Sequence, residues 1–353
     1  MSQYWSRINH ELNPYVPGEQ PKNNEFIKLN TNENPYPPSP GVIKAINGFA
    51  CNELRLYPDP ECETAREEIA KHHQLSKNQV FIGNGSDEIL AFGFMAFFDP
   101  GSPILFPDVT YSFYPVYSKL FGIDYQEISL DSDFSIPIEK FLIPNGGIVI
   151  ANPNAPTGVC LSTDKVEEIA KNNSQSVVIV DEAYIDFGGE SSIRLINSYP
   201  NLLIIQTMSK SYSLAGLRLG YALGQTDLIE GLRRIKNSFN SYTIDRIALT
   251  GVVEALKDKK YYQMTRHKVI KTRENTCKKL KDRGFEVLES KANFIFATHP
   301  DIKAEVIFNR LKEKQILVRY FKLPRIDNYL RISIGTDEEM SALIKAVDEI
   351  IKN

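Results

Sequence analysis

The chain reads as an α/β protein, a mainly parallel sheet with helices on both faces, followed by a smaller α+β C-terminal domain. Three observations predict this. Short apolar runs recur at Val80–Ile82, Ile104–Phe106, Ile148–Ala151, Val177–Val180, Leu202–Gln206 and Leu219–Leu223. Between most of them lie stretches of helical apolar spacing, among them 86–98, 111–121 and 162–172. After about residue 225 the pattern changes to long charged amphipathic stretches, 226–237 and 244–283. Strands that are apolar on both sides belong inside a sheet covered by helices, and helical crossovers make them parallel.

In chain order, residues 1–31 read as an irregular arm carrying Pro14, Pro17 and Pro21. The segment from Asn32 to Pro40 is too proline-rich for helix or strand, and Ser39 is placed to cap the segment after it. Asp59, Glu61, Glu63, Glu67 and Glu68 read as a helix start and its wet face. Beyond residue 283 come Phe285–Leu288, Asn293–Ala297, a helix near 303–314, Ile316–Val318, Leu330–Ser333 and a last helix near 337–351. Three parts result: an arm at 1–31, a large domain at 32–240 and a small domain at 241–353.

A chain of 353 residues is too long for one compact core and suits two domains. A net charge of −3 gives no reason to expect nucleic acid or membrane as a partner. No apolar run approaches the ~18 residues of a membrane helix, and Met1–Glu11 is too polar for a signal peptide. Cys51, Cys62, Cys160 and Cys277 are scattered without a C-x-x-C, which argues against zinc or a disulfide framework and fits a reducing cytoplasm. The five histidines have no metal-ligand spacing, so no metal is expected. His72-His73 reads as a surface pair near a helix C-terminus.

The chemistry concentrates around Lys210, in Ser209-Lys210-Ser211-Tyr212, with Arg218 further on and Asp181-Glu182-Ala183-Tyr184 upstream. An acid at a strand end, a lysine after the next strand and an arginine beyond it suit a pyridine ring bearing an aldehyde and a phosphate, namely pyridoxal 5′-phosphate (PLP). An aldehyde calls for a lysine amine. A protonated ring nitrogen calls for a buried carboxylate, here Asp181. Tyr184 can donate to the phenolate oxygen, and Arg218 can fork onto the phosphate. Gly83-Asn84-Gly85-Ser86-Asp87-Glu88 follows a strand and opens a helix, so its N–H groups suit a phosphate. It lacks the lysine of a P-loop and the third glycine of a dinucleotide fingerprint. Tyr111, which begins another helix on the same side, can stack on the ring or pack in the core.

Together these segments resemble the fold-type I PLP-dependent aminotransferases of the class II branch, and most closely the histidinol-phosphate aminotransferases. The resemblance covers nearly the whole chain. Its more specific parts are Pro14-Tyr15-Val16-Pro17-Gly18 and Asn32-Glu33-Asn34-Pro35. It implies a seven-stranded-type sheet, Lys210 as Schiff-base lysine and proton shuttle, Asp181 at the ring nitrogen, Tyr184 at the phenolate oxygen and Tyr111 on the ring. Gly85, Ser86, Asp87, Ser209 and Arg218 would surround the phosphate. Tyr57 would reach the cofactor phosphate of the partner subunit, making a homodimer with shared sites. Tyr15, Asn34, Arg319 and Arg331 would contact substrate. The implied reaction is transamination between histidinol phosphate and 2-oxoglutarate in histidine biosynthesis. Threonine-phosphate decarboxylases and aromatic-amino-acid aminotransferases share the cofactor residues and stay open as alternatives. A PLP-sensing regulator would need a DNA-binding module, for which the arm is too short. In one departure, Ala155 stands before Pro156-Thr157-Gly158 where the family commonly has Asn. Asn154, one position off, is the candidate to compensate as a cofactor contact.

Overall fold

The computed structural model describes residues 3–21 and 26–352; the rest of the expected arm and Asn353 lie outside the described residues. The arm is not wholly irregular. It holds a short helix α1 (Arg7–Glu11) and a two-residue strand β1 (Ile27–Lys28). Ser39 caps α2 (Pro40–Asn47) by accepting from Val42 N–H, with Pro40 in the first turn, where its missing N–H costs nothing. Asp59 accepts from the N–H groups of Glu61 and Glu63 ahead of α3 (Glu63–His73).

The alternating part follows as β2 (Val80–Gly83), α4 (Gly85–Phe97), β3 (Ile104–Pro107), α5 (Phe113–Phe121), β4 (Tyr125–Ile128), β5 (Gly147–Ala151), α6 (Thr163–Asn172), β6 (Val178–Asp181), β7 (Leu202–Thr207) and β8 (Gly220–Leu223). These seven strands form one sheet in the order β2-β8-β7-β6-β5-β3-β4. β8 runs antiparallel to both neighbours, and the other pairings are parallel. Side chains alternate between two cores: Ile148, Ile150, Val178 and Val180 enter one, Val149 and Ile179 the other. The expected runs omit β4 because Gln126 and Glu127 face solvent on this edge strand.

α7 (Thr226–Phe239) leads to α8 (Arg246–Lys257) and α9 (Lys259–Lys281). The stretch 244–283 is therefore two helices. Asp258 ends the first and caps the second by accepting from Tyr261 N–H. β9 (Glu286–Val287), β10 (Phe294–Thr298), α10 (Ala304–Glu313), β11 (Ile316–Leu317), β12 (Arg319–Tyr320), β13 (Leu330–Ser333) and α11 (Asp337–Ile351) complete the chain. An antiparallel sheet β12-β13-β10-β9 packs its own core, and β1 pairs in parallel with β11. The arm thus contributes Leu29 to the C-terminal core.

His72 and His73 are not a surface pair. His73 is half-buried with Nε2 3.1 Å from Tyr221 Oη, and burial, with His72 beside it, pushes its pKa down to about 3. No helix among the described residues is long and apolar enough to cross a membrane.

Candidate active site

The carboxyl ends of β2, β5, β6 and β7 point to one side of the large sheet, where open α/β sheets bind ligands. β8 begins there, with Gly220 opposite both Gly83 and Thr207. A cavity of about 170 Å³ lies above, lined by Ser86, Asp87, Tyr111, Asp181, Tyr184, Ser209, Lys210 and Arg218, with Thr31, Glu33 and Ala155 among the rest of its wall.

One end of this chamber is an anion cup. Gly85 opens α4 at φ +80, and a Cβ there would stand 2.6 Å from Arg218 Nη2. A Cβ on Gly220 would stand 2.6 Å from Ser86 N. These two glycines let the arginine and the helix end approach each other. Asp87 accepts the Tyr111 hydroxyl at 2.7 Å and pairs with Arg218 at 3.6 Å. Its carboxylate thus fixes both neighbours and leaves its backbone N–H, with that of Ser86, at the helix N-terminus for an anion. Ser209 is buried, with its N–H donating to Thr207 Oγ1.

At the other end, Asp181 closes β6. Its carboxylate accepts from Ala183 N–H at 3.1 Å and from the Tyr114 hydroxyl at 3.5 Å, both neutral groups. Burial pushes its carboxyl up to about 7. A cationic ring nitrogen beside it would act in the opposite sense, holding it ionised. Lys210 follows β7, with Nζ 5.6 Å from the Tyr184 ring centroid and 3.4 Å from Thr31 O.

A second cavity, of about 530 Å³, adjoins the first and shares Tyr111 and Ala155 with it. Tyr15, Arg319, Arg325 and Arg331 line it, with Phe321, Leu323 and Ile326. Tyr15 stacks on Phe113 at 4.3 Å. Arg319 donates to Val16 O at 3.2 Å, so it anchors the arm. Arg331 Nη2 donates to Asn30 O at 3.0 Å, and its guanidinium lies 5.4 Å from the Phe294 ring centroid. Its Nε is buried without a partner, and no carboxylate among the described residues pairs with it. Burial lowers its pKa, with Tyr184 and Tyr15 opposing that shift.

Three expectations need correction. Asn154 does not line either cavity: its Nδ2 donates to Val109 O and Thr157 Oγ1, and its Oδ1 accepts from Thr110. Both ends of its amide are committed, to Val109 and Thr110 in the loop after β3 and to Thr157 in its own loop. Asn34 lines neither cavity; its Nδ2 donates to Lys210 O at 2.9 Å and holds the lysine loop. Tyr111 precedes α5 rather than beginning it, since Ser112 is the cap. Tyr57 is outside its own chain's cavities, 76% exposed and stacked on Tyr242 at 4.6 Å. Sequence reasoning missed Thr31, Glu33 and Arg325. The polar Asn30–Asn34 run carried the signal for the first two; the loop of Arg325, which pairs with Asp108 at 2.5 Å, carried none.

The fold and this site define a class of protein, and the comparisons agree. Residues 24–347 match the model of the aminotransferase class I and II family, and the chain belongs to that family. Among its relatives, a histidinol-phosphate aminotransferase of Clostridium botulinum (strain Langeland, type F) is 58% identical over 99% of each chain. The histidinol-phosphate aminotransferase of Clostridium acetobutylicum is 55% identical over 99% of this chain and 100% of its own. The solved histidinol-phosphate aminotransferase of Sinorhizobium meliloti, in complex with pyridoxal-5′-phosphate, shares the fold with a TM-score of 0.90. It is 24% identical, over 100% of this chain and 98% of that one. The residues present here fit PLP on three counts: a lysine amine, a buried carboxylate held by neutral donors, and an anion cup that a Cβ on Gly85 would fill.

Proposed function

We propose that this chain is a PLP-dependent transaminase acting between histidinol phosphate and 2-oxoglutarate in histidine biosynthesis; in reverse, imidazole-acetol phosphate takes the amino group of L-glutamate. The observation that carries the substrate class is Arg331, a guanidinium in the wall of the larger cavity with a buried, unpartnered Nε and no carboxylate partner among the described residues. Such a cation favours an anionic substrate group, and histidinol phosphate, glutamate and 2-oxoglutarate each bring one. The named relatives support the same choice.

When bound, PLP supplies an aldehyde that bonds to amines and a ring that withdraws electrons. Lys210 Nζ would hold the aldehyde until the substrate's amine displaces it, and the freed Lys210 amine would then be the base that moves a proton at the substrate carbon bearing the amino group. Asp181 holds the proton on the ring nitrogen. Tyr184 would donate to the phenolate oxygen and Tyr111 would cover one ring face. Gly85, Ser86, Asp87, Ser209 and Arg218 bind the phosphate. Tyr15, Arg319 and Arg331 would orient the substrate so that its amino group reaches the aldehyde carbon and the hydrogen on the adjacent carbon faces Lys210.

The enzyme works as a cytoplasmic homodimer with shared sites, built from a large domain at 32–240 and a small one at 241–353. Exposed Leu54, Leu56, Tyr57, Phe239 and Tyr242 support such an interface, with Tyr57 reaching the partner's phosphate cup. Mixing Lys210→Ala subunits with weak Tyr57→Phe subunits restores activity in the hybrid, because one composite site then carries neither change; a fully active monomer would refute the shared site. The substrate is tested with a panel of amino donors, following amino transfer and CO₂ release together. Preference for histidinol phosphate over histidinol and phenylalanine is expected. CO₂ from threonine phosphate without amino transfer would replace this reading by a decarboxylase.

A further inference from the structure

The Tyr184 hydroxyl has few helpers. Ala155 beside it offers a methyl group, and the Asn154 amide is engaged by Val109, Thr110 and Thr157. A phenol hydrogen rotates between partners, so its direction depends on what else the oxygen meets. Here the oxygen meets Asn32, whose Nδ2 donates to Tyr184 Oη at 3.0 Å. Asn32 is 1% exposed and sits at φ +57, a conformation asparagine tolerates better than most residues. It is held from three sides: its N–H donates to Ser333 Oγ at 2.8 Å, its Oδ1 accepts the Ser333 hydroxyl at 3.0 Å, and its carbonyl accepts from Asn293 Nδ2 at 2.9 Å. The amide lies with its oxygen toward Ser333 and its nitrogen toward Tyr184. With an N–H donor against its oxygen, Tyr184 has no acceptor on that side and turns its own hydrogen into the chamber.

We propose that Asn32 is a positioning residue for the PLP-dependent reaction: it orients the Tyr184 hydroxyl toward the cofactor's phenolate oxygen and strengthens that bond. The strengthening arises because a hydroxyl that accepts a hydrogen bond donates a better one. The inference rests on PLP occupying this chamber, and it assigns to Asn32 a task that the Asp181–Tyr184 segment does not perform alone. Asn32 acts through Tyr184 and does not itself face the cavity. The charged groups that share Tyr184's surroundings are Lys210 after β7, Asp181 at the end of β6, Asp87 on α4, Arg218 ahead of β8, Glu33 just after the arm and Arg331 on β13. None of them is altered by the test.

The test measures the absorbance of bound PLP against pH, together with the affinity of the cofactor-free chain for PLP. Asn32→Gly keeps the backbone conformation and removes the amide. It should raise the chromophore's pKa by about half a unit to one unit and weaken PLP binding by about fivefold. In a Tyr184→Phe background the same substitution should produce no further shift. Asn32→Asp is the second variant, for use if the glycine variant does not fold. It replaces the donor by an acceptor and draws the Tyr184 hydrogen away from the chamber, so its shift should be larger and should shrink by at least half in Tyr184→Phe. An unchanged titration, or a shift of equal size with and without the Tyr184 hydroxyl, overturns the proposal. If borohydride still traps PLP on Lys210 in that case, the reading of the chamber survives. Failure of the wild-type chain to take up PLP would overturn both.

Discussion

Arg218 and Arg331 face adjoining chambers, and the chain treats them differently. Arg218 is exposed and pairs with Asp87, so its charge is already answered within the protein. Arg331 has a buried Nε without a partner and, among the described residues, no carboxylate paired with it. The first lies in a cup shaped by the β2–α4 turn and the residues leading into β8, all on one sheet edge. The second lies on β13, against the arm segment at Asn30 and the ring of Phe294. The cup is formed before any ligand arrives, which suits a cofactor that stays. The arginine wall is completed by an anion, which suits substrates that come and go, and selectivity therefore belongs to that wall.

The contrast breaks most directly at the residue between the walls. Lys210→Ala should abolish the borohydride-trapped PLP adduct and lower turnover by more than about 10⁴-fold. An adduct at wild-type yield would show that another amine holds the cofactor. Next in size, Arg331→Ala should lower kcat/KM for histidinol phosphate by about 10² to 10⁴, with glutamate weakened too, while PLP affinity barely moves. Equal kcat/KM for phenylalanine and histidinol phosphate in the wild type would remove the selectivity from this wall. Arg218→Ala should do the reverse, weakening PLP by about tenfold to a hundredfold without changing the ranking of substrates.

Asp181 sharpens the cup side through pH. In the cofactor-free chain its carboxyl is raised from 3.8 to about 7, so the folded state binds the proton that the unfolded state has lost. Stability from this group is therefore present below pH 4 and is lost as pH rises toward 7, by an amount on the order of 4 kcal/mol. Asp181→Asn should flatten that part of the melting-temperature profile and, with PLP attached, slow proton abstraction by orders of magnitude. A profile unchanged by the substitution would count against a buried, unpaired carboxylate. The smallest effect is expected at the half-exposed Asp108–Arg325 pair in the larger cavity, where a double-mutant cycle should give a coupling of about 1 kcal/mol or less. A larger coupling would mean that this loop is held as firmly as the cup.

Much of the cofactor chamber was legible from residue order, because each of its parts sits next to a strand end. An apolar run that stops at Asp181, and a glycine turn that opens a helix at Gly85, say where side chains go before any packing is known. Asn154 and Asn34 show the limit. Both lie in motifs that point to the site, yet each amide is occupied by nearby carbonyls or hydroxyls, and a one-letter sequence does not reveal hydrogen-bond partners. His73 failed for the same reason in reverse: its helix position suggested solvent, but Tyr221 from β8 meets its ring.

By itself, the sequence determined the alternating architecture, the lysine–carboxylate–arginine set and the cofactor chemistry that set demands, because these depend on local periodicity and on residue type. The tertiary structure decided how the second wall is assembled. It brought the arm at Tyr15 onto Phe113, Arg331 to Asn30 and Asn32 to Tyr184. Those contacts join segments up to 301 residues apart, and their directions come from sheet pairing and core packing, which no short stretch of sequence encodes.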